Sequence, residues 1–555
     1  MTQPASTLKI ALAQLNPVVG DIAGNVAKMR GARETAAKLG ADLVVFPELF
    51  VTGYPPEDLV LRPAFQQAAH LAVEELARTM GPGPAVLTGT IWPEAGETKP
   101  RVYNAAVLID EGEVKAVRTK VELPNYGVFD EMRVFTPGPL PGPIMFKGVK
   151  IGVPICEDIW KEQVCECLAE CGAEILISPN GSPFDWPKPD LRMNVAVARV
   201  SGTDLPLVYL NLAGGQDELV FDGASFVLNA DHSLAVQMPA WEEALVLTEW
   251  TRETGGWVCK PGGVAKLPEG DAAAYSACVL GLRDYVDKNG FPGVVLGLSG
   301  GVDSALVAAI AVDALGADRV RAVMLPYRYT SQESHEDAAG CAKALGIAYD
   351  VVPIEQPVQG FRDALAEIFA GRNEDITEEN LQSRARGTIL MAISNKLGLM
   401  VLTTGNKSEM AVGYATLYGD MNGGFNPVKD LYKGEIYRLC RWRNAHVPKG
   451  ALGPGGPVIP ERILTKAPSA ELRPNQTDQD SLPPYDVLDD ILFCLVEQEL
   501  PIADVVQRGH DLATVQKVER LLYLAEYKRR QAAPGVKISA RNFGRDRRYP
   551  ITNRF

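Results

Sequence analysis

A chain of 555 residues is too long for one hydrophobic core, so two or more domains are expected. Its 46% hydrophobic and 22% charged residues are ordinary for a globular protein. The net charge of −14 argues against a non-specific nucleic-acid or anionic-membrane binder, and no apolar run is long enough to cross a bilayer.

Residues 1–7 lead straight into a strand pattern and lack a signal peptide's apolar core, so a cytoplasmic location is expected. The nine cysteines do not suggest a disulfide framework in so long a chain. Cys165, Cys167 and Cys171 cluster, but they lack Cys-x-x-Cys spacing and a nearby histidine. They read as buried or half-buried thiols on a helix over 160–171.

In the first half, 8–15 is a strand, and a helix pattern over about 25–39 is stopped by Gly40. A buried strand over 42–48 ends in Pro47 and the carboxylate of Glu48. A helix is expected over 63–80, then strands at 85–92 and 102–109. The turn Asp110-Glu111-Gly112 returns the chain into 114–120, which predicts a hairpin ending at Lys120. Strand 150–156 ends in Cys156. Further strands at 174–178, 207–212 and 224–228, with a helix over 189–201, complete an α/β domain whose helices cover a mixed sheet. Glu48, Lys120 and Cys156 thus stand at strand ends, where open α/β sheets place chemistry. A thiolate is a nucleophile, a carboxylate takes its proton, and a lysine stabilises charge on an attacked carbonyl. Singly, each reads as well as a core thiol, a loop carboxylate and a hairpin-end cation.

Their contexts decide between these readings. Phe46-Pro47-Glu48-Leu49, Lys120-Val-Glu-Leu-Pro-Asn-Tyr126-Gly-Val-Phe-Asp-Glu131 and Cys156-Glu157-Asp158-Ile159-Trp160 resemble the three signature stretches of the nitrilase superfamily, over about residues 8–250. The resemblance implies a four-layer αββα sandwich and a Glu48–Lys120–Cys156 triad. Glu48 is then the base and Cys156 the nucleophile. Lys120 holds the oxyanion with the N–H that follows Cys156, and Glu131 supports them. The Lys-x-x-Leu-Pro-Asn-Tyr form is similar to the glutaminase branch attached to NAD+ synthetases. That likeness implies that Tyr126, Ser182 and Lys188 bind glutamine, with Arg192 either in the same pocket or a surface cation.

Residues 251–267, rich in glycine, have the composition of a linker. A helix over 271–288 follows, then a buried strand (Val294, Val295, Leu296) that runs through Ser299-Gly300-Gly301-Val302-Asp303-Ser304 into a helix. Glycines let an anion approach the main chain there, and the N–H groups of the loop and helix start point at it, so this is a phosphate cradle. It lacks the Gly-Lys-Ser/Thr ending of a Walker loop. Strand 320–325, helix 334–345, strand 348–353, helix 377–397 and strand 400–404 then alternate, which means a doubly wound parallel sheet. Thr404 offers a hydroxyl and Glu409 carboxylate oxygens suited to magnesium, although both also fit ordinary helix capping. The stretch 447–457, rich in glycine and proline, fits either a mobile loop closing over nucleotides or a plain connector.

The cradle resembles the pyrophosphate loop of N-type ATP pyrophosphatases. Together with Glu379-Asn380, Thr403-Thr404-Gly-Asn-Lys-Ser-Glu409, Asn426-Pro-Val-Lys-Asp-Leu-Tyr-Lys433, Lys466-Ala-Pro-Ser469 and Glu526-Tyr-Lys528, it is similar to the NAD+ synthetases over about residues 268–545. The resemblance implies a Rossmann-like pyrophosphatase domain over 268–555 behind a 1–250 glutaminase domain. It implies ATP contacts at Gly297, Leu298, Ser299, Gly300, Gly301, Val302, Asp303, Ser304, Thr404, Lys433 and Ser469. It implies deamido-NAD+ contacts at Asn380, Arg384, Glu409 and Lys528, and magnesium on Asp303 and Glu409. The expected partners are the small molecules glutamine, ATP and deamido-NAD+, with neither nucleic acid nor membrane. A homo-oligomer, at least a dimer through the second domain, is implied by the same likeness.

Overall fold

The computed structural model describes residues 5–94, 101–186 and 188–553. The chain divides into two compact units, Met1–Pro268 and Glu269–Phe555.

Unit one contains two mixed sheets. The first orders its seven strands as Gly256–Cys259, Ala244–Glu253, Thr7–Gln14, Leu43–Val45, Ala85–Glu94, Arg101–Asp110 and Glu113–Thr119. The second has six: Leu234–Gln237, Phe226–Leu228, Leu207–Asn211, Ile175–Asn180, Val149–Gly152 and Ile144–Phe146. Side-chain alternation stacks the layers. Leu8, Ile10, Leu12, Leu43 and Val45 point inward and meet Ile175, Ile177, Val208 and Leu210 of the second sheet. Ala11, Ala13, Val44 and Val86 point outward and pack on Met29, Ala36, Val73 and Leu76 of helices Ile22–Lys38 and Pro63–Thr79. On the far face Leu176, Leu207 and Tyr209 pack on Val164, Leu168, Ala196 and Val200 of helices Glu162–Glu170 and Lys188–Thr203. The result is four layers, helix–sheet–sheet–helix.

Two details differ from the sequence-based expectation. The supposed linker is partly sheet: residues 251–259 finish strand Ala244–Glu253 and form Gly256–Cys259, paired antiparallel through Glu253↔Gly256. Its glycines are the turn of a hairpin, which has the same composition as a linker. The strand expected to reach Cys156 stops at Gly152, and Cys156–Ile159 is a short 3-10 turn.

Unit two is built on a four-stranded parallel sheet ordered Ala348–Val351, Val320–Met324, Val294–Gly297, Met400–Leu402. The chain winds outward from Val294–Gly297 and then crosses to its other side. A crevice therefore opens at the carboxyl end of that strand, the switch point where such folds take ligands. Helix Val302–Leu315 starts there and is buried along almost its whole length, against helices Gly270–Lys288 and Lys433–Ala445. The helical elements Tyr485–Leu492, Ile502–Gln507 and Leu512–Leu524 make a second core with helix Lys407–Val412. The stretch 447–457 is anchored. Buried Arg443 donates to the carbonyls of Pro454 at 2.7 Å and Gly456 at 3.4 Å, and the Leu452 N–H donates to Asp313 O at 2.9 Å. Asp313 lies in the last turn of helix Val302–Leu315, away from the loop at its start, so this stretch is a connector rather than a lid over that loop.

Candidate active sites

In unit one the three residues expected at strand ends converge, although Cys156 itself opens a 3-10 turn. Glu48 and Lys120 are fully buried and Cys156 is 4% exposed. Lys120 Nζ donates to Glu48 Oε1 at 2.7 Å and to both oxygens of Glu131 at 2.9 Å. Asn104 Nδ2 donates to Glu48 Oε1 at 2.7 Å, and the Gly181 N–H donates to Glu48 Oε2 at 2.7 Å. Tyr54 donates its hydroxyl to Glu131 at 3.0 Å. Gly89 lets the neighbouring strand close on Glu48, since a Cβ there would stand 2.1 Å from Leu49 N and 2.6 Å from the Glu48 carbonyl carbon.

Burial opposes the Lys120 ammonium, but the Glu131 and Glu48 carboxylates outweigh it and hold its pKa well above the ordinary value. Burial pushes Glu131 up to about 7 against the pull of Lys120. Burial also raises the Cys156 thiol far above its usual range, and the Glu48 carboxylate adds to the shift. The resting group is therefore a thiol, which needs a base beside it to become a nucleophile.

Two of the expected glutamine contacts adjoin this cluster: Tyr126 bonds Glu157, which follows Cys156, and Ser182 follows Gly181, which donates to Glu48. Tyr126 is exposed and hydrogen-bonds Glu157 at 3.0 Å. Lys188 lies over the Phe129 ring at 5.2 Å and faces Asp185 at 4.0 Å. Ser182 is buried, and its hydroxyl accepts from Arg192 Nε at 3.2 Å. Arg192 is no surface cation: it is buried and pairs with Asp222 at 2.7 and 2.9 Å.

In unit two the loop after strand Val294–Gly297 is closed by its own serines. Ser304 Oγ accepts from Ser299 N at 3.2 Å and donates to Gly301 O at 3.0 Å. Gly300 has φ +82°, and a Cβ on it would lie 2.4 Å from the Ser334 carbonyl oxygen. Lys433 Nζ bridges Asp303 at 2.6 Å and Glu409 at 3.0 Å. Asn406 caps helix Lys407–Val412 and donates to Asp303 Oδ1 at 2.8 Å. Burial pushes Glu409 up to about 7, against Lys433. Gly297, Leu298, Ser299, Gly300, Gly301, Val302, Asp303, Ser304, Thr404, Glu409, Lys433 and Ser469 all line one cavity of about 310 Å³.

Asn380, Arg384 and Lys528 line a second cavity, and Tyr414, Ala415, Asp420, Ala470 and Leu472 border both. Asn380 accepts from the Thr416 hydroxyl at 2.9 Å, and Lys528 donates to the carbonyls of Gly413 and Ala415 at 2.8 and 2.6 Å. Glu409, grouped with these residues from the sequence, lines only the first cavity. In helix Lys407–Val412, which carries Glu409, the fully buried Lys407 pairs with Asp430 at 2.8 Å and with Glu497. It also donates to Ser539 Oγ and Arg541 O, each at 2.7 Å. Asp430 in turn accepts from the N–H groups of Ile538 and Ser539 at 2.8 and 2.7 Å.

Sequence reasoning missed Asn104 and Asn406. A polar residue inside the apolar strand Arg101–Asp110 was the available signal for Asn104. Asn406 looks locally like a routine cap. Among the described residues no group of three or more His, Cys, Asp or Glu is arranged around a metal position, and all nine cysteines are free thiols.

Two family models match the chain: a carbon-nitrogen hydrolase model over residues 9–257 and an NAD synthase model over residues 274–532. The chain is 53% identical over 547 residues to the glutamine-dependent NAD(+) synthetase of Rhodobacter capsulatus, covering 99% of this chain and 98% of that one. It is 45% identical to the enzyme of the same name from Thermotoga maritima, over 99% of both. The solved glutamine-dependent NAD+ synthetase of Acinetobacter baumannii, in complex with adenosine diphosphate, is 44% identical over 98% of each chain, with a TM-score of 0.78. That of Cytophaga hutchinsonii, 24% identical over 99% of this chain and 98% of that one, shares the fold with a TM-score of 0.80.

Proposed function

This chain belongs to the glutamine-dependent NAD+ synthetases, and on that premise we propose how its residues divide the reaction. The enzyme is a ligase that amidates deamido-NAD+ to NAD+ with ATP as co-substrate and glutamine as nitrogen donor.

In unit one Glu48 takes the proton of Cys156, whose sulfur attacks the carboxamide carbon of glutamine. Lys120 and the N–H of Glu157 hold the oxyanion. Collapse of the tetrahedral adduct expels ammonia, which takes its proton from Glu48 and leaves a thioester. Water activated by Glu48 then releases glutamate. Glu131 and Asn104 keep Lys120 and Glu48 in place, and Tyr126, Ser182 and Lys188 receive the glutamine.

In unit two the loop from Gly297 to Ser304, with Thr404, Lys433 and Ser469, receives ATP. Asn380, Arg384, Lys528 and Glu409 receive deamido-NAD+. The nicotinate carboxylate attacks the α-phosphorus and pyrophosphate leaves into the loop's N–H groups. Ammonia then displaces AMP from the adenylate. Asp303 and Glu409 are hard oxygen donors of the kind magnesium takes when most of its other ligands are phosphate and water. They would hold such an ion, which neutralises charge on the departing pyrophosphate.

The observation that carries this reading is that each unit closes its own constellation from residues far apart in sequence: Glu48–Lys120–Glu131 around Cys156, and Asp303–Lys433–Glu409 at the loop. Family likeness further leads us to propose a homo-oligomer, at least a dimer through unit two, acting in the cytoplasm. No helix among the described residues is long and apolar enough to cross a membrane. An acceptor screen tests the function: AMP and pyrophosphate should form from ATP only with deamido-NAD+, with either glutamine or ammonium. Their absence with both nitrogen donors would overturn it.

A further inference from the structure

Asp158 has no part in the reaction as laid out above, yet it is buried between the elements that carry Lys120 and Cys156. Its Oδ1 accepts from the backbone N–H groups of Val121 at 3.1 Å and Glu122 at 2.8 Å, the two residues directly after Lys120. Its Oδ2 accepts from the N–H of Ile155 at 2.9 Å, directly before Cys156. Its own N–H returns to the Ile155 carbonyl at 3.0 Å. A reciprocal pair of bonds thus closes the turn around Cys156, and the same carboxylate fastens that turn to the chain leaving Lys120.

Cys156 needs such closure. It is a non-glycine residue at φ +47°. Such a backbone is strained and persists only where its surroundings over-determine it. The Lys120 ammonium and the Glu157 N–H also come from separate elements, so their spacing depends on what joins the two backbones. Both must stand about 3 Å from the point where charge develops.

We propose that Asp158 is a positioning residue of the glutaminase half, holding the nucleophile turn and the Lys120 strand at the separation that thioester formation requires. The inference rests on the roles given above to Cys156 and Lys120. An ionised carboxylate suits the task because it only accepts. An asparagine must turn its NH2 toward either Ile155 N–H or the pair after Lys120, donor against donor.

The test is Asp158→Asn in the full chain, with glutamine-driven and ammonium-driven synthesis measured side by side. The expected result is a loss of about 10²-fold in kcat with glutamine, the cost of roughly 1 Å of misplacement, while KM for glutamine and the ammonium-driven rate change less than about threefold. A glutamine kcat within about threefold of the parent enzyme, or an equal loss with ammonium, would overturn the proposal. A Cys156→Ala control separates the two levels: if it retained glutamine-driven synthesis, the nucleophile assignment would fail and this inference with it. Should Asp158→Asn not fold, hydrogen exchange on the unaltered enzyme decides. The amides of Val121, Glu122 and Ile155 are expected to be strongly protected, and exchange at the rate of open loops would refute the clamp.

Discussion

Gly300→Ala is the sharpest single perturbation of the nucleotide half. At φ +82° an L-residue costs about 1–2 kcal/mol of backbone strain. The added Cβ would also sit 2.4 Å from Ser334 O, 2.9 Å from its Cα and 3.1 Å from its carbonyl carbon, where ordinary contact begins at 3.4 Å. All three neighbours are backbone, so no flexible side chain can swing away. The loop and the start of helix Gln332–Leu345 must separate by about 1 Å, a displacement that costs on the order of 10²-fold in rate at a phosphate-binding site. Ser334 also hydrogen-bonds Lys466 and Glu471, at 2.7 and 2.8 Å, on the segment that carries Ser469. The shift therefore reaches both walls of the cavity. We expect ammonium-driven AMP formation to fall about 10²-fold, with weaker ATP binding by calorimetry and a Tm lower by roughly 2–8 °C. Reaction of Cys156 with a glutamine-site electrophile should stay at the parent rate. Ammonium-driven turnover within about threefold of the parent enzyme would refute the argument that the loop's approach to Ser334 admits no side chain.

Three other outcomes follow from the same structure. Cys156→Ala should abolish glutamine-driven synthesis and leave ammonium-driven synthesis intact; loss of both in steady-state assays would count against the division of labour. Lys433→Met strands two carboxylates beside the loop, costing about 3 kcal/mol and about 10²-fold in AMP formation; near-parent activity would show that Lys433 is dispensable. Burial raises Glu131, Glu409 and Glu435 to about 7 and Asp158 and Asp420 to about 6. A carboxyl raised on folding contributes stability that is complete below its unfolded pKa and lost as pH rises through the folded one. Scanning calorimetry should therefore give a higher Tm at pH 6 than at pH 8, with a shallower slope in Glu409→Gln; a Tm that rises over that interval would contradict the assignments.

The places of Glu48, Lys120 and Asp303 were legible in the sequence because strand ends are marked by changes in pattern, while the roles proposed for them came from the likeness of their stretches to known families. Glu48 after Phe46-Pro47, and Asp303 after a buried strand and paired glycines, are local signals. What holds them is not local. Asn104 and Gly181 reach Glu48 across 56 and 133 residues, and Lys433 reaches Asp303 across 130. Composition misled where two structures share it. The Gly255-Gly256 pair reads as a linker but turns a hairpin, and the stretch 447–457 reads as loose until Arg443 and Asp313 are seen to grip it. Helix Leu512–Leu524 carries the period, with Val515, Val518 and Leu522 buried on one face, and so does its partner Tyr485–Leu492, with Tyr485, Leu488, Ile491 and Leu492 buried, but neither pattern says which helix it packs against.

The bonds that Lys407 makes to Ser539 and Arg541 set an order of events during synthesis. The strands of unit one are complete once Cys259 has left the ribosome, so that half is able to fold while the remainder is still being translated. Unit two cannot follow suit piecemeal: until Arg541 has been added, a lysine at its heart lacks the hydroxyl and the carbonyl that receive its protons. A ribosome that stalls before Ser539 would thus release a polypeptide with one finished enzyme and one unfinished.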